Sequence, residues 1–375
     1  MKFDYIRKIF RSTLFVINII TLLSFLLSAF SDRVSPNTMM FFAYLGLGFP
    51  FILFVNILFT IWWILMRNWK FLSVNIIVFV ICSSQIFSYL PINAKTKNVP
   101  EDCIKVLTYN VMRYNQYKKH TKENPNDIIG YILDLDADIV CVQEYGAAHS
   151  KSLITKEEID AIFKKKYPYR KTMNTYETDN SMGGNAIYSK FPIKSFKKIP
   201  FENNSEYNTA CAAELEIQGK NVLLINAHLE SNKLSVEDRD KYEGIFRGIK
   251  DFDSKKIEDA SDMMRKRLSV SYRIRAKQAE AVAKWIQNSS APYIIVCGDF
   301  NDTPISYSRH TVKGNLLKDA FAETGLGLGI SYNQNRFWFR IDYIMHSKNI
   351  EAYNCTVGKL KDSDHYPVWT YLQLK

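Results

Sequence analysis

The stretch APYIIVCGDFNDTP, residues 291–304, carries the strongest structural signal in the chain. A short apolar run at 293–297 stops abruptly at Gly-Asp-Phe-Asn-Asp. Glycine, asparagine, aspartate and proline are common turn residues, so the plainer interpretation is a turn after a buried strand. The alternative is a metal or phosphate site at the carboxyl end of a core strand. The pattern along the rest of the chain distinguishes the two.

Composition divides the 375 residues into two unequal parts. Residues 1–95 are dominated by apolar runs, whereas residues 96–375 have the composition of a soluble domain large enough to bury a sizeable core. We therefore expect a membrane anchor at 1–95, joined to a folded domain at 96–375 by the polar segment 93–102.

Three apolar segments, 9–30, 39–66 and 71–92, are long enough to cross a bilayer. They predict transmembrane helices at about 9–30, 42–66 and 71–92, because buried helices of a soluble protein seldom lack charge so completely. Asn18, Asn56 and Asn75 lie within these segments, and we expect them to form hydrogen bonds between helices. A transporter built on three spans without buried charges is disfavoured.

The flanking cations predict an orientation, since cytoplasmic loops carry an excess of Lys and Arg. The cations before the first span and in the turn between the second and third spans are Lys2, Arg7, Lys8, Arg11, Arg67 and Lys70. This distribution places both segments in the cytoplasm and, after three crossings, the large domain outside. We expect an integral protein of the bacterial cytoplasmic membrane with an extracytoplasmic domain.

Net charge and cysteine content exclude some classes of protein. The formal charge is +11, of which +6 lies in residues 1–95 and +5 in the larger part. That bias is too weak to indicate a dedicated nucleic-acid binder. The six cysteines have no CxxC or Cys/His spacing, which favours buried free thiols, although a disulfide stays possible.

Residues 96–375 alternate between short β-rich runs and helical patterns, which predicts sheets covered by helices. Helices are expected at 125–138, capped by Asn126 or Asp127, and at 273–289. The charged stretch at about 232–272 has no strand signal, and we interpret it as a partly helical insertion. The β-rich runs are 103–111, 138–145, 185–190, 221–230, 293–300, 340–346 and 366–374.

Polar side chains occur at or just beyond the end of almost every predicted core strand. Each alone is more typical of a turn or a satisfied core group, but together they would converge at one edge of the sheets. Burying so many carboxylates requires a cation or a proton. The residues are Asn110, Gln143, Glu144, Asn226, His228, Asp299, Asn301, Asp302, Asp342, Asp364 and His365.

This inventory fits one type of reaction. Magnesium prefers carboxylate and carboxamide oxygens, and imidazoles can donate to a phosphoryl oxygen or support a general base. The sequence has no GxSxG, P-loop or HExxH motif. The residues therefore indicate hydrolysis of a phosphate ester by an activated water.

Seven motifs, in order, resemble the endonuclease/exonuclease/phosphatase family, which includes deoxyribonuclease-like metal-dependent phosphoesterases. They are TYNV, VCVQE, GNAIYSK, NAHLES, CGDFND, RIDYI and SDHYPV, and they span about residues 103–374. The resemblance implies a four-layer α/β sandwich, with two central, mostly antiparallel sheets and helices outside. It also implies a divalent metal, usually Mg²⁺, with Mn²⁺ as a substitute.

The resemblance implies roles for eight residues. Glu144 matches the principal metal ligand, with Asn110 beside it and Asp364 as a second carboxylate on the metal side. Asp299 matches the group that orients or deprotonates the attacking water, and Asn301 the carboxamide that holds the phosphate. His228 resembles the imidazole that contacts the phosphate or assists the leaving group. His365 matches the catalytic histidine, and Asp342 the carboxylate that orients it.

The resemblance leaves the substrate open. The expected activity is hydrolysis of a phosphodiester, in a nucleic acid or a phospholipid head group, by an enzyme bound to the lipid bilayer. A phosphomonoesterase acting on a small or lipid phosphate is the alternative, and so is a catalytically silent binding module on the same fold. The anchor and the 232–272 insertion are departures from the family core.

Overall fold

The computed structural model describes residues 2–115, 118–150, 153–202, 208–232, 254–334 and 337–375. The predicted insertion at 232–272 therefore lies partly outside the described residues. Its last part, from residue 254 onward, is helical and continues into the helix predicted at 273–289.

Among the described residues, the named elements of the N-terminal part are all helices. α1 (Lys2–Ala29) leads into a 3₁₀ turn (Ser31–Arg33), and it is followed by α2 (Met40–Leu47), α3 (Phe49–Leu65), α4 (Trp69–Ile81) and α5 (Ser83–Tyr89). One helical stretch, Ile9–Arg33, is long and apolar enough to cross a membrane, and up to three spans result if each bent pair forms one. α2 and α3 meet at an angle of 57°, and α4 and α5 meet at 66°. Pro50, in the first turn of α3, suits a helix start and explains the break after Gly48.

Polar side chains connect these helices, as expected for the three asparagines. Asn75 Nδ2 donates to Asn18 Oδ1 at 2.8 Å, and Trp63 Nε1 donates to the same oxygen at 2.8 Å. Thr21 Oγ1 donates to Asn56 Oδ1 at 3.1 Å. The network joins α1, α3 and α4 and satisfies groups that lie in an apolar environment.

The larger part contains two six-stranded sheets. The first has the order β11-β12-β1-β2-β4-β3 and the second the order β5-β6-β7-β8-β10-β9. β1 and β2 are parallel, as are β7 and β8, and the other named pairs are antiparallel. The strands are β1 (Ile104–Asn110), β2 (Ile139–Ala148), β3 (Tyr169–Glu177), β4 (Ser181–Ser189), β5 (Ile193–Ile199), β6 (Thr209–Ile217), β7 (Lys220–His228), β8 (Tyr293–Asp299), β9 (Leu317–Asp319), β10 (Asp342–Ser347), β11 (Ile350–Val357) and β12 (Val368–Leu374).

Helices cover both outer faces of the paired sheets. α6 (Met112–Asn115) is a single turn with positive φ angles. α7 (Asp127–Leu135) is capped by Asn126, whose side chain accepts hydrogen bonds from the amides of Ile128 and Ile129. The remaining helices are α8 (Lys156–Lys164), α9 (Ser254–Gln287), α10 (Tyr307–Lys313) and α11 (Ala320–Thr324).

The hydrophobic core has three layers that confirm the predicted sandwich. Val106 of the first sheet and Leu224 of the second belong to one cluster, which lies between the sheets. Ile129 of α7 packs on the outer face of the first sheet, and Val282 of α9 packs on the outer face of the second. The order helix, sheet, sheet, helix is the four-layer α/β sandwich that the sequence predicts.

Candidate active site

The central strand pairs bring the predicted polar residues together. Asn110, at the carboxyl end of β1, is the register partner of Gln143, which lies in the middle of β2 because that strand continues to Ala148. His228 is paired with Asp299 at the carboxyl ends of β7 and β8. Asp342, the first residue of the antiparallel strand β10, also pairs with Asp299. These strand ends meet at one edge of the sandwich.

Asp299 lies at the centre of the site and is 1% exposed. Its Oδ2 accepts a hydrogen bond from Asn110 Nδ2 at 3.0 Å and lies 3.5 Å from Nε2 of His365. Burial raises the pKa of this carboxyl, against the lowering effect of His365 and with a further rise from Asp342. A carboxylate with a raised pKa is a better proton acceptor than an ordinary aspartate.

Gly298 allows Asp299 to reach this position. Its φ angle is 150°, and a Cβ there would overlap the backbone oxygen of Ala227 on the neighbouring strand. A side chain at this position would push β8 away from β7 and displace the carboxylate. The glycine in GDFND is therefore required by close packing of strands as well as by the turn that follows.

Asp342 and His365 form a buried pair. Asp342 Oδ2 lies 2.8 Å from Nδ1 of His365, and both side chains are almost wholly excluded from solvent. Burial lowers the pKa of His365, but the carboxylates of Asp342 and Asp299 outweigh burial and hold that pKa well above its usual value. The imidazole is therefore held in its charged form, with Nε2 facing Asp299.

Glu144 is held at the site by a distortion of β2. The register between β2 and β4 shifts between Val142 and Tyr145, and Glu144 has a φ angle of 50°. A β-bulge of this kind redirects a side chain. Asn110 Nδ2 donates to Glu144 Oε1 at 3.1 Å as well as to Asp299, so this amide bridges the two carboxylates.

His228 faces both carboxylates without forming a hydrogen bond to either. Its Nε2 lies 3.9 Å from Glu144 Oε1 and 3.7 Å from Asp299 Oδ2. Within the part of the chain that the structure describes, neither ring nitrogen of this buried histidine has a hydrogen-bond partner. Buried polar atoms are rarely left unsatisfied, so the imidazole is suited to a ligand between these groups.

Asn301 and Asp364 line the same pocket. Asn301 has a φ angle of 53°, which asparagine tolerates, and its Nδ2 donates to the backbone oxygen of Leu229 at 3.0 Å. Ser363 Oγ donates to the backbone oxygen of Asn110 at 2.7 Å, and this bond holds the loop that carries Asp364 against β1.

Asp302 does not belong to this group, although it lies in the same motif. Its Oδ2 lies 3.2 Å from Nη1 of Arg275 and accepts from Ser308 Oγ. Arg275, fully buried in α9, also donates from Nε to the backbone oxygen of Glu230 at 2.8 Å. The pair fixes the loop after β8 against α9, which is a structural role.

Gln143 and Asn226 also have a structural role. Gln143 Nε2 donates to Asn226 Oδ1 at 2.7 Å, and Asn226 Nδ2 donates to the backbone oxygens of Val142 and Ala186. These buried bonds join the two sheets directly beneath the site. They set the distance between Glu144 on one sheet and Asp299 on the other.

Two sets of side chains could hold a cation. Asp299, Asp342 and His365 each offer an atom, and these atoms lie within 4.8 Å of one another. Nδ1 of His365 is already hydrogen-bonded to the Asp342 carboxylate, so this first set of residues suits proton transfer better than metal binding. Glu144 is 39% exposed and neighbours Asn110, whose amide could present its oxygen after a half turn. The oxygen-rich second set fits a hard cation such as Mg²⁺.

The site opens into a pocket of about 240 Å³. Glu144, Asp299, Asn301, Asp364 and His365 line it, beside apolar side chains. A larger groove of about 1010 Å³ lies between β5, β6 and the end of α9, and none of the eight candidate residues lines it. The smaller pocket is therefore the candidate site.

Comparison with known families agrees with this architecture. The model described as "Endonuclease/Exonuclease/phosphatase family" matches residues 107–365. The chain belongs to the endonuclease/exonuclease/phosphatase family. This membership confirms the prediction of a hydrolase that acts on phosphate ester bonds. A second model, a domain of unknown function (DUF8431), matches residues 7–89.

Several solved structures of this endonuclease/exonuclease/phosphatase fold are similar to the chain. A family member from Beutenbergia cavernae DSM 12333 has 14% identity and a TM-score of 0.48, over 72% of each chain. The human Nocturnin catalytic domain has 16% identity and a TM-score of 0.49, over 76% of this chain and 97% of that one. A mannosyl-6-phosphatase from Bacteroides thetaiotaomicron VPI-5482 has 15% identity and a TM-score of 0.46, over 72% and 99%. A search of curated proteins gave no match.

Some residues around the site had no recognisable signal in the sequence. The ring of Tyr332 packs edge-on against His365 with centroids 5.1 Å apart. Leu47 of α2 and Leu268 of α9 line the pocket from segments that lie far away in sequence. The sequence indicated Ser363 only as part of the SDH motif, without its bond to the backbone of Asn110. No spacing in the sequence indicates that Arg275 pairs with Asp302.

Proposed function

We propose that the chain is a divalent-metal-dependent phosphoesterase that hydrolyses a phosphodiester with an activated water while its N-terminal helices hold it at a membrane. The observation that carries this proposal is the arrangement of His365 between two carboxylates. Asp342 lies at Nδ1 and Asp299 at Nε2. A charged donor and a proton acceptor therefore face the same pocket.

Asp299 acts as the group that orients the attacking water and accepts its proton. Burial raises its pKa, which brings the carboxylate nearer to the proton affinity that a general base needs. As the water oxygen bonds to phosphorus, the ester P–O bond on the opposite side breaks. The water oxygen keeps one proton and becomes part of the phosphate product, and the proton that Asp299 accepts balances the one that the leaving alcohol takes up.

His365 and His228 stabilise the phosphoryl group. The imidazolium of His365, oriented by Asp342, donates to an oxygen on which negative charge develops. His228 donates to a phosphoryl oxygen or to the leaving group from the position where its Nε2 faces the two carboxylates. Asn301 holds the phosphate from the wall formed by the loop after β8.

A divalent metal would complete the charge balance. Glu144 would be its principal ligand, with Asn110 beside it and Asp364 on the same side of the pocket. Mg²⁺, or Mn²⁺ in its place, would neutralise charge on the phosphoryl oxygens and lower the pKa of water. The Glu144 carboxylate supports this assignment, because it lines the pocket and its side chain is 39% exposed, so an ion in the pocket would reach its oxygens.

The membrane location rests on the helical part of the chain. The 3₁₀ turn after α1 contacts the catalytic domain through Asp32, whose carboxylate lies 3.2 Å from Nδ1 of His310. The end of α5 does so through Ser88, whose carbonyl accepts from Arg340. The cations of the N-terminus and of the α3–α4 turn lie at the other ends of the helices. This supports a bacterial cytoplasmic membrane protein with an extracytoplasmic catalytic domain.

A substrate panel tests the activity. The full chain in lipid nanodiscs would be assayed with DNA, RNA, sphingomyelin, bis(p-nitrophenyl) phosphate and p-nitrophenyl phosphate, with Mg²⁺, Mn²⁺ or EDTA. We expect hydrolysis of a diester that EDTA abolishes and Mg²⁺ restores. Turnover of the monoester alone would identify a phosphomonoesterase, and no turnover of any substrate would identify a silent binding module.

A further inference from the structure

The pocket is lined by apolar as well as polar side chains. The apolar lining, called here the apolar wall, includes Leu47 at the end of α2, Met264 and Leu268 on α9, and Phe337 and Phe339 before β10. The apolar residues come from three separate parts of the chain. None of them takes part in the chemistry described above.

The position of Leu47 is set by tight contacts. A Cβ at the neighbouring Gly46 would overlap the backbone oxygen of Ile305, in the loop that follows GDFND, so α2 packs directly against that loop. Tyr44 Oη donates to the backbone oxygen of Arg265 at 2.9 Å, which ties α2 to α9. α2 therefore forms a fixed wall of the pocket.

This apolar wall continues into the helical anchor. Leu47 is the last residue of α2, and the strongly apolar α3 begins two residues later at Phe49. Phe41 on α2 is 56% exposed, and Trp338, between the two pocket phenylalanines, is 63% exposed. Tryptophan is enriched where lipid head groups meet acyl chains. Exposed aromatic side chains beside the pocket therefore suit contact with the head-group region of a bilayer.

We propose that the substrate is a membrane amphiphile, whose phosphate ester enters the catalytic site while its hydrocarbon chain lies along Leu47, Leu268 and Phe339. This inference rests on the proposed phosphodiester hydrolysis and specifies its substrate class. The apolar wall gives a hydrocarbon chain a surface that excludes water.

The same wall distinguishes a lipid from a nucleic acid. Nucleic-acid sites follow the phosphate backbone with Lys and Arg, and no described residue that lines this pocket is Lys or Arg. Arg265 and Lys266 are exposed on α9 beside the wall, and their charge suits anionic lipid head groups as well as nucleic acid. The apolar lining favours the amphiphile.

A homologous series of substrates tests the inference. Alkyl p-nitrophenyl phosphates, from methyl to decyl, keep the scissile bond and leaving group constant and change only the chain. With the full chain in nanodiscs and Mg²⁺, we expect kcat/KM to rise with each methylene. A fully buried methylene corresponds to about fourfold, which is the upper limit of each step.

Variants separate binding at the wall from simple partitioning into lipid. Leu268→Asp should flatten the dependence of kcat/KM on chain length, and Leu47→Ser, on a different helix, serves as a second test should the first variant not fold. Val270→Asp is the matched control, because Val270 lies on the same helix, is 56% exposed and does not line the pocket. It should retain the wild-type dependence.

The outcomes distinguish the two proposals. Hydrolysis of the series with no effect of chain length, or with the same effect in folded Leu268→Asp or Leu47→Ser protein as in wild type, would overturn the amphiphile and leave the phosphodiesterase intact. No hydrolysis of any member at any chain length would remove the phosphodiesterase itself.

Discussion

The carboxylate of Asp342 lies 2.8 Å from Nδ1 of His365, at the point where the first residue of β10 meets the loop before β12. Ser331 Oγ accepts hydrogen bonds from the amides of Ile341 and Asp342, which fixes the backbone that carries this carboxylate. The opposite ring nitrogen of His365 faces Asp299 at 3.5 Å. The imidazole therefore has a defined orientation and a stabilised positive charge.

Replacing Asp342 should alter the pH dependence of the reaction. Burial lowers the pKa of His365, and Asp342 is the largest of the groups that raise it well above its usual value. In Asp342→Asn the pKa of His365 must fall. If the imidazolium is required, the alkaline limb of the kcat/KM profile with bis(p-nitrophenyl) phosphate moves to lower pH. An unchanged alkaline limb would show that His365 does not act as a charged donor.

Glu144→Gln should weaken metal binding as well as turnover. The substitution keeps the size of the side chain but removes the charge that a Mg²⁺ ion needs. We expect a loss of the rise in unfolding temperature that Mg²⁺ causes, and a fall in Mg²⁺-dependent rate. Glu157→Gln, at an exposed position in the first turn of α8, is the matched control. Normal Mg²⁺ stabilisation of folded Glu144→Gln protein would rule out the ligand.

Arg275→Met should destabilise the domain, because it leaves the buried Asp302 carboxylate without its guanidinium. Removing one member of a buried ion pair costs about 3–5 kcal/mol. Burial already raises the pKa of Asp302, and loss of Arg275 raises it further, so the loss of stability should shrink as pH falls and the carboxyl is protonated. Thermal unfolding between pH 5 and 8 measures this.

The exposed Arg273, two positions earlier on α9, provides the control for that experiment. Arg273→Met should change stability by less than about 0.5 kcal/mol, as is usual for surface substitutions. Equal effects of the two substitutions would mean that the Arg275–Asp302 pair does not fix the loop.

Topology can be tested with reporters that work on one side of the membrane. Alkaline phosphatase fused after Lys375 should be active, because the three proposed crossings would place the large domain outside. The same enzyme fused after Arg67, in the turn between α3 and α4, should be inactive. Activity in the reverse pattern would contradict the orientation derived from the flanking cations.

The central strands and the site residues could be predicted because their signals are local. The apolar run of β8 ends at Asp299, and Asn126 caps α7 as its position indicates. Parallel strands place their carboxyl ends at one edge, which brings His228 of β7 beside Asp299 of β8. Glu144 lies within β2 and reaches the site through the bulge between Val142 and Tyr145. The seven predicted β-rich runs correspond to seven of the twelve named strands.

The remaining elements depend on contacts that are distant in sequence. β3 and β5 have several exposed polar residues, because they lie at sheet edges, so their patterns are weak. α8 did have a signal, since Thr155 and Glu158 form a capping box. The apolar wall at Leu47 and the contact of Arg275 with Asp302 could not be predicted, because they result from the packing of the N-terminal helices and of α9 on the domain.

Asp299 and His365 should behave as one unit. His365→Ala should reduce the rate at least as much as Asp299→Asn, since the transition state loses a charged donor. Because residues that act together are not additive, the double variant should be much less impaired than the product of the two losses. If the rate loss of the double variant equals the product of the two single losses, Asp299 and His365 act in separate steps.

The decisive measurement is the rate at which Asp299→Asn protein hydrolyses bis(p-nitrophenyl) phosphate with Mg²⁺. The variant is first shown to unfold at the same temperature as the wild-type protein, so that a change in rate reflects chemistry and not folding. Asparagine serves a turn as well as aspartate does but lacks a basic oxygen. We expect a fall of about two to four orders of magnitude. A near-normal rate would mean that Asp299 only stabilises the turn in GDFND, and it would contradict the proposed mechanism.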